Sequence, residues 1–138
     1  MGFLSSVDIV GSALTAERKR TDVITQNIAN AKTTSTQSGD PYRRKQVVLQ
    51  ERPLSFQEEL DKAGGVRVAD VVESDREFQT VYDPGNPLAD EDGYVRYSNV
   101  DTTEEMVDLM AANNAYDANL TAFSLLKTMI GKTLDMGK

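Results

Sequence analysis

Two stretches at the ends of the chain carry residues at alternating spacings of four and three, and this pattern constrains the fold most. In the first stretch, seven of the nine positions are apolar. They are Phe3, Val7, Val10, Leu14, Glu17, Thr21, Ile24, Ile28 and Ala31. This spacing is typical of a helix that packs along another helix at a shallow angle. We predict a helix over about 3–31, about 40 Å long at about 1.5 Å per residue.

The second stretch has its own start signal. Asp101 stands at an N-cap position and Glu104 follows three residues later, which is a capping box ahead of an apolar run. The four-three spacing then continues through Met106, Leu109, Asn113, Tyr116, Leu120, Phe123, Lys127, Ile130 and Leu134. We predict a helix from about 102 to 135, whose acidic first turns complement the helix dipole rather than hold a metal.

The middle of the chain changes to a period of two. Residues 41–50 and 65–75 alternate and are rich in valine, so they predict strands. Residues 55–60 could form one helical turn capped by Ser55. Residues 81–97 place prolines and glycines between Tyr/Val stretches, which indicates a turn-rich hairpin or loop.

These segments together predict an α+β fold. The long terminal helices pair as an antiparallel, coiled-coil-like hairpin, and a small β-rich insert lies between them in sequence. The expected division is an N-terminal helix (1–34) and a C-terminal helix (101–138) of one core domain, with the insert at 35–100.

Composition excludes several kinds of site. The 138 residues include no Cys, His or Trp, so thiolate zinc sites, disulfides and a histidine general base are impossible. The net charge is −7, and residues 51–101 hold thirteen acids against five bases. Nucleic-acid binders concentrate positive charge instead. We expect no catalytic residue, metal, cofactor, nucleic acid or small-molecule substrate.

Two short motifs have ordinary explanations. The segment Asp-Glu-Asp-Gly at 90–93 does not match a calcium loop at two essential places, because Leu88 stands at the first ligand position and Asn99 stands where the bidentate Glu is required. The basic run 43–45 lies in a predicted strand, where alternation divides it between faces. It indicates a strand surface or an inter-subunit salt bridge.

Export and membrane signals are also weak. No basic region precedes the first apolar stretch, Asp8 interrupts that stretch, and no run approaches the roughly 18 apolar residues of a membrane span. The expectation is a chain without a cleaved signal peptide and without membrane insertion.

The second helix carries more apolar residues than one partner helix can cover. Val107, Met110, Leu125, Leu126 and Met129 lie off the predicted seam. Burying each large side chain would contribute roughly 1.5–3 kcal/mol. A helix that is apolar on more than one side belongs inside something larger. The pattern therefore indicates the subunit of a polymer.

The sequence also resembles a known family. GSALTAERKRTDVITQNIANAKTT is similar to the N-terminal signature of the flagellar rod and hook axial proteins, and NIANA is its most specific part. PYRRKQVVLQ, GVRVADVVES, VYDPGNPLADEDGYVRYSNVD and AYDANLTAFSLLKTMIGKTLDMG extend the resemblance, to a proximal-rod member, along nearly the whole chain.

The resemblance implies a structural protein of the flagellar basal body. Such subunits pass through the type III export apparatus and stack helically into a drive shaft across the periplasm, with their terminal helices lining the inner tube. The implied partners are copies of the chain, other rod proteins, and proteins at the junction of the export gate and the MS ring.

The candidate subunit-interface residues are the apolar helix positions and two asparagines. They are Val7, Val10, Leu14, Ile24, Asn27, Ile28, Asn30, Met106, Leu109, Tyr116, Leu120, Phe123, Ile130 and Leu134. Asn30 can close the first helix in a left-handed conformation, before a polar tether. The Asn27 amide could bridge subunits, or both asparagines could simply be solvent-exposed at a helix end.

Two other functions remain open at this point. One is a different member of the rod and hook family. The other is a soluble coiled-coil adaptor that binds a partner helix, which would form a discrete oligomer rather than a polymer.

Overall fold

The computed structural model describes residues 3–52 and 64–137, with side chains from residue 5, and its elements confirm the α+β prediction. In chain order they are α1 Phe3–Asn30, β1 Lys45–Glu51, β2 Val66–Glu73, β3 Gln79–Tyr82, β4 Tyr94–Tyr97 and α2 Thr102–Met136. The helical turn predicted over 55–60 lies outside the described residues.

The two helices form the predicted antiparallel pair. Asn27, near the end of α1, bonds Glu105 at the start of α2, whereas Phe123 lies beside Val7 and Gly11 near the other end. Asp101 caps α2, because its side chain accepts hydrogen bonds from the backbone N–H groups of Thr103 (2.8 Å) and Glu104 (3.3 Å).

The register of α2 differs from the predicted seam. Its buried and half-buried positions include a column at Glu105, Leu109, Ala112, Tyr116, Asn119, Phe123, Leu126 and Ile130, flanked by half-buried Glu104, Asp108, Ala115 and Ala122. Four of the nine predicted seam positions, Leu109, Tyr116, Phe123 and Ile130, are therefore confirmed as inward. The other five are wrong, since Asn113 and Lys127 are exposed and Met106, Leu120 and Leu134 are 55%, 45% and 67% exposed. At the first four of these five the inward residue is the preceding one, whereas at Leu134 the preceding residue is exposed as well.

The physical reason for the shift lies in two inward positions that are not large and apolar. Ala112 is fully buried, because its small side chain lets α1 come close. Glu105 is also fully buried, because α1 and the insert bond its carboxylate. The four-three spacing of larger side chains predicted their neighbours Met106 and Asn113 instead.

The first helix is covered on two sides. α1 packs against α2 and also against β1 and β2. The predicted seam residues Val7, Val10, Leu14 and Ile28 are half-buried, whereas Ile24 is fully buried. Ala16, Val23 and Asn27, off the predicted seam, are buried as well. The second contact, with the sheet, explains this wider buried face.

The described part of the insert, without residues 53–63, contains two separate antiparallel ribbons. β1 pairs with β2, and Ala69 is the extra residue at a bulge, because Val48 pairs with Asp70 and Leu49 with Val68. β3 pairs with β4. The segment 90–93 is a tight turn in which Gly93 has φ +81°, a conformation that favours glycine.

The polar segment after α1 is a closed loop rather than an extended tether. The backbone N–H of Tyr42 donates to the carbonyl of Thr33 (3.2 Å), and Thr36 N–H donates to the carbonyl of Asp40 (2.9 Å). The chain therefore returns to the end of α1 after this loop. The insert packs directly against the helix through β1 and β2.

Candidate functional site: a buried polar junction and an exposed helix face

Asn27 joins both helices and the insert. Its Nδ2 donates to the carbonyl of Lys45 (2.8 Å) and to Oε2 of Glu105 (2.9 Å). Its Oδ1 accepts from the Tyr42 hydroxyl (3.0 Å) and from the backbone N–H of Lys45 (2.9 Å). Both donors and both acceptor sites of the amide are used, and the residue is 1% exposed.

Arg44 brings a positive charge into the same region. Its Nε donates to Oε1 of Glu105, and its Nη2 donates to Oδ2 of Asp108 (2.9 Å). Its Nη1 lies 3.4 Å from Oε1 of Glu104. Arg44 and Glu105 are both buried, so each charge depends on the other for compensation. We call Asn27, Tyr42, Arg44, Asn99 and Glu105 the polar junction.

Asn99 ties the backbone of the insert to this group. Its Oδ1 accepts from the backbone N–H of Arg44 (2.7 Å), and its Nδ2 donates to the carbonyls of Ser74 (3.3 Å) and Arg76 (2.9 Å). The segment before β1 and the segment after β2 thus meet at the side-chain amide of Asn99, which itself follows β4. This fixes the insert relative to the first turn of α2.

An outer layer of charge lies on the solvent side. Arg76 donates two hydrogen bonds to the Glu104 carboxylate (2.6 and 3.2 Å). The hydrogen bond between Arg76 and Glu104 lowers the pKa of the Glu104 carboxyl and raises the pKa of the Arg76 guanidinium. The hydrogen bonds from Thr103 N–H and Glu104 N–H lower the pKa of Asp101. These carboxylates are held in the ionised form.

Tyr42 is the one member of the junction with a hydroxyl. Burial raises the pKa of Tyr42, and the negative charges of Glu105 and Glu73 raise it further. The hydroxyl therefore stays protonated and donates to Asn27. Tyr42 acts here as a fixed donor, because nothing in this arrangement favours its ionised form.

A second contact holds the closed loop to the insert. The Phe78 ring lies between two guanidinium groups, with Arg43 Cζ 4.3 Å and Arg96 Cζ 4.8 Å from its centroid. Arg96 also lies 3.6 Å from Asp40 in the loop. Cation–π contacts of this kind contribute about 0.5–1 kcal/mol at exposed sites.

The polar junction is suited to holding the two helices and the insert together. Within residues 3–52 and 64–137, no group of three acidic side chains is placed to hold a metal ion. No helix in those ranges is long and apolar enough to cross a membrane. The acids in the first turns of α2, Glu104, Glu105 and Asp108, form ion pairs with Arg44 and Arg76 inside the chain.

The structure changes the roles of two sequence candidates, Asn27 and Arg44, and places Asn30 at the expected helix end. The Asn27 amide is fully used within the chain, so the expected bridge between subunits is corrected to a bridge within one subunit. Asn30 ends α1, and its side chain donates to the carbonyl of Gln26 (2.9 Å). Arg44, expected on a strand surface or in an inter-subunit salt bridge, is instead buried against Glu105.

The sequence did not predict a site role for three members of the junction. Glu105 was expected only to complement the helix dipole, Tyr42 lies in the predicted strand 41–50, and Asn99 follows the predicted hairpin or loop 81–97. The available signal was the four-three spacing itself, which reaches Glu105 when it is extended back from Leu109 and Ala112. A charge at an inward position requires a buried partner of opposite charge.

The outward side of α2 is apolar and uncovered. Val107, Met110, Leu125, Met129 and Met136 are between 49% and 81% exposed. At about 3.6 residues per turn they lie on the side opposite to Glu105, Ala112 and Phe123. Asp117 is the single charged residue of 109–126. We call this side the outer face of α2.

Comparisons with known proteins identify the chain's relatives. Residues 8–35 match the family model described as "Flagella basal body rod protein", and residues 91–136 match "Flagellar basal body rod FlgEFG protein C-terminal". The flagellar basal-body rod protein FlgC of Salmonella typhimurium is 46% identical over 138 residues, which is 100% of both chains.

Two further relatives have lower identity to this chain. FlgC of Bacillus subtilis is 42% identical, over 96% of this chain and 97% of its own. FlgC of Borreliella burgdorferi is 37% identical, over 97% of each chain. The similarity therefore extends through the helices, the polar junction and the insert alike.

Proposed function

Because the chain belongs to the FlgC family of flagellar basal-body rod proteins, we propose that it polymerises through its terminal helices into the proximal rod. The chain is a structural protein of the basal body, and flagellar motility depends on the shaft that it helps to build. In this proposal, residues 1–34 and 101–138 form the assembling domain, and residues 35–100 contribute outer contacts.

One observation carries the proposal beyond family membership. The outer face of α2 exposes large apolar side chains on a helix whose opposite side already packs against α1. Monomeric proteins rarely expose extended apolar patches unless another surface covers them. Neighbouring subunits would cover this face in a helical polymer.

The proposal includes the partners and the location of the chain. The partners are copies of the chain, other rod proteins, and proteins at the junction of the export gate and the MS ring. The rod crosses the periplasm, and we propose that the chain reaches it through the flagellar export apparatus without a cleaved signal. It acts as a building element, without a catalytic step.

The candidate interface residues divide into two groups in this proposal. Met106, Leu120 and Leu134 are exposed, so they can contact neighbouring copies directly. The other apolar candidates are buried or half-buried, so they contribute through the shape of the helix pair. They are Val7, Val10, Leu14, Ile24, Ile28, Leu109, Tyr116, Phe123 and Ile130.

The test is Leu125→Asp, introduced in the bacterium's own copy. Leu125 is 62% exposed in the isolated chain, so the change leaves the subunit folded. In a polymer it would bury an uncompensated charge. We expect export to continue, while rod completion and swimming are lost.

Leu88→Asp is the matched control. Leu88 has a similar exposure, 57%, but lies in the loop of the β3–β4 ribbon, away from both helices. Rods should form with this variant. Normal swimming with Leu125→Asp, or equal loss with both variants, would contradict assembly through the helices.

A further inference from the structure

The end of α2 extends beyond its partner helix. Asn27 lies opposite Glu105, so in an antiparallel pair the start of α1 at Phe3 lies opposite the region of Met129. Residues 131–137 are exposed on every side. Among them Leu134 and Met136 are large and apolar. We call residues 131–136 the overhang.

A cavity of about 330 Å³ lies at the other end of the helix pair, next to the polar junction. Val23, Ile24, Val47 and Leu49 form its apolar wall. Val23 and Ile24 are part of the buried core, whereas Leu49 is 40% exposed, so the wall is partly open to solvent.

We propose that the overhang of one copy docks into this cavity on a second copy, a step that rests on the proposed polymer function. Leu134 supplies an exposed apolar side chain, and Met136 lies at the tip of the overhang. One wall of the cavity is apolar, and Arg44, Lys45, Gln46 and Glu105 are among its other lining residues. The contact joins two different surfaces at opposite ends of the molecule. A contact of that kind generates open helical polymers instead of closed dimers.

Charges beside the two surfaces complement each other. Lys132 and Asp135 flank the apolar residues of the overhang. Arg20 and Asp108 line the cavity, and their side chains are 36% and 37% exposed. Among residues 3–52 and 64–137, the ion-pair contact of Arg20 is the 3.8 Å approach to Glu17, and its side chain is 36% exposed and can pair with Asp135. Asp108 can pair with Lys132 through its partly exposed carboxylate.

The docking also sets a repeat distance. The cavity lies at the level of Glu105 and Asp108, and the centre of the overhang lies about 28 residues further along α2. At about 1.5 Å per residue, successive copies would be displaced by about 42 Å along the helix direction. Images of rods would give this spacing directly.

Disulfide cross-linking tests the contact, because the chain has no cysteine of its own. The variant carries Leu49→Cys in the cavity wall and Met136→Cys in the overhang. The two positions lie at opposite ends of one subunit, too far apart for an internal disulfide, which needs Cα atoms within about 7 Å. Oxidised rods should give a ladder of dimers and higher multimers that a reducing agent removes.

The control pairs Met136→Cys with Leu88→Cys, which is exposed in the β3–β4 loop and should give no ladder. Gln46→Cys provides a second cavity position, since Gln46 lines the same cavity and is exposed. If a cysteine pair prevents rod completion, the unaltered chain is expressed with it, and mixed rods provide the contacts.

Complete rods without a ladder, with both cavity positions, would overturn the docking while leaving the polymer function intact. A ladder with the Leu88→Cys control at equal yield would also overturn it, because cross-linking would then be unselective. Loss of the polymer function itself is reported separately by Leu125→Asp, whose position lies outside the overhang.

Discussion

Arg44 and Glu105 are 61 residues apart in sequence and form an ion pair from which water is almost excluded, their side chains being 5% and 0% exposed. Arg44 precedes the first strand of the insert, and Glu105 lies in the first turns of α2. The pair therefore determines how the insert sits on the helices. Its removal should affect the whole subunit.

Arg44→Met should destabilise the isolated chain strongly. The substitution leaves the Glu105 carboxylate buried without a cation, which costs about 3–5 kcal/mol. Urea unfolding followed by helical circular dichroism measures the change. Arg44→Met combined with Glu105→Gln should be less destabilised than Arg44→Met alone, because the buried charge is then gone. Simple addition of the two single effects would contradict the coupling.

Arg76→Met is the exposed counterpart of that experiment. Arg76 pairs with Glu104 at the surface. Surface ion pairs typically contribute about 0–1 kcal/mol. The variant should therefore unfold at nearly the same urea concentration as the unaltered chain, and a loss as large as that of Arg44→Met would refute the distinction between the two arginines.

Asn27→Ala should weaken the subunit itself before any effect on assembly. It leaves the Lys45 N–H and carbonyl, the Tyr42 hydroxyl and one Glu105 oxygen without their partner. Unsatisfied buried groups cost about 1–3 kcal/mol each, so we expect a loss of at least about 2 kcal/mol. Faster hydrogen exchange of the Lys45 amide would report the broken bond specifically.

Asn30→Ala is the matched control for Asn27→Ala. The Asn30 side chain donates to a helix carbonyl at an exposed position. Substitutions at such positions usually change stability by about 0.5 kcal/mol or less. If the two alanine variants lost equal stability, the special role of Asn27 would be wrong.

The same substitution at two positions of α2 tests its register. Ala112→Asp places a charge at a fully buried position against α1 and should unfold the chain in mild denaturant. Leu120→Asp lies at an exposed position, so its effect on unfolding should stay within about 0.5–1 kcal/mol. If Leu120→Asp were less stable than Ala112→Asp, the register expected from the sequence would be correct.

Acid should loosen the start of α2. The pKa values of Asp101 and Glu104 are lowered in the folded chain from ordinary values of 3.8 and 4.5. Their contribution to stability is present above those ordinary values and is lost as pH falls through the lower folded values. Circular dichroism of α2 against pH measures this, and Glu104→Gln should flatten the loss below pH 4.5.

Alkali should act at the opposite end of the pH scale. The pKa of Tyr42 is raised above 10.0, so its contribution is complete below that pH and is lost as pH rises through the folded value. Tyrosinate absorbance of the chain, compared with Tyr42→Phe, gives the titration. A Tyr42 that ionised below pH 10.0 would contradict burial of its hydroxyl.

The helices, the strands and four of the inward positions of α2 could be predicted from sequence. Leu109, Tyr116, Phe123 and Ile130 were found because they are large, apolar and seven residues apart. The inward positions Ala112 and Glu105 were missed because neither residue is large and apolar. One permits close approach of the helices, and the other depends on Arg44.

The polar junction could not be predicted in the same way. Its members come from three separate segments of the chain, at 27, 42–44 and 99–105, and no local pattern brings Asn27, Arg44 and Asn99 together. Only tertiary structure shows that the Asn27 amide and the Arg44 guanidinium meet one carboxylate. The sequence signalled polar residues near a helix end, which are usually exposed.

The closed loop between Thr33 and Tyr42 makes this position tolerant of added chain. The hydrogen bond between Tyr42 N–H and the Thr33 carbonyl already holds its two ends together. Doubling the length of a loop of this kind costs only about 0.6 kcal/mol. A short epitope or dye-binding peptide placed between Gln37 and Ser38, both exposed, could therefore mark individual subunits without disturbing the helices beneath.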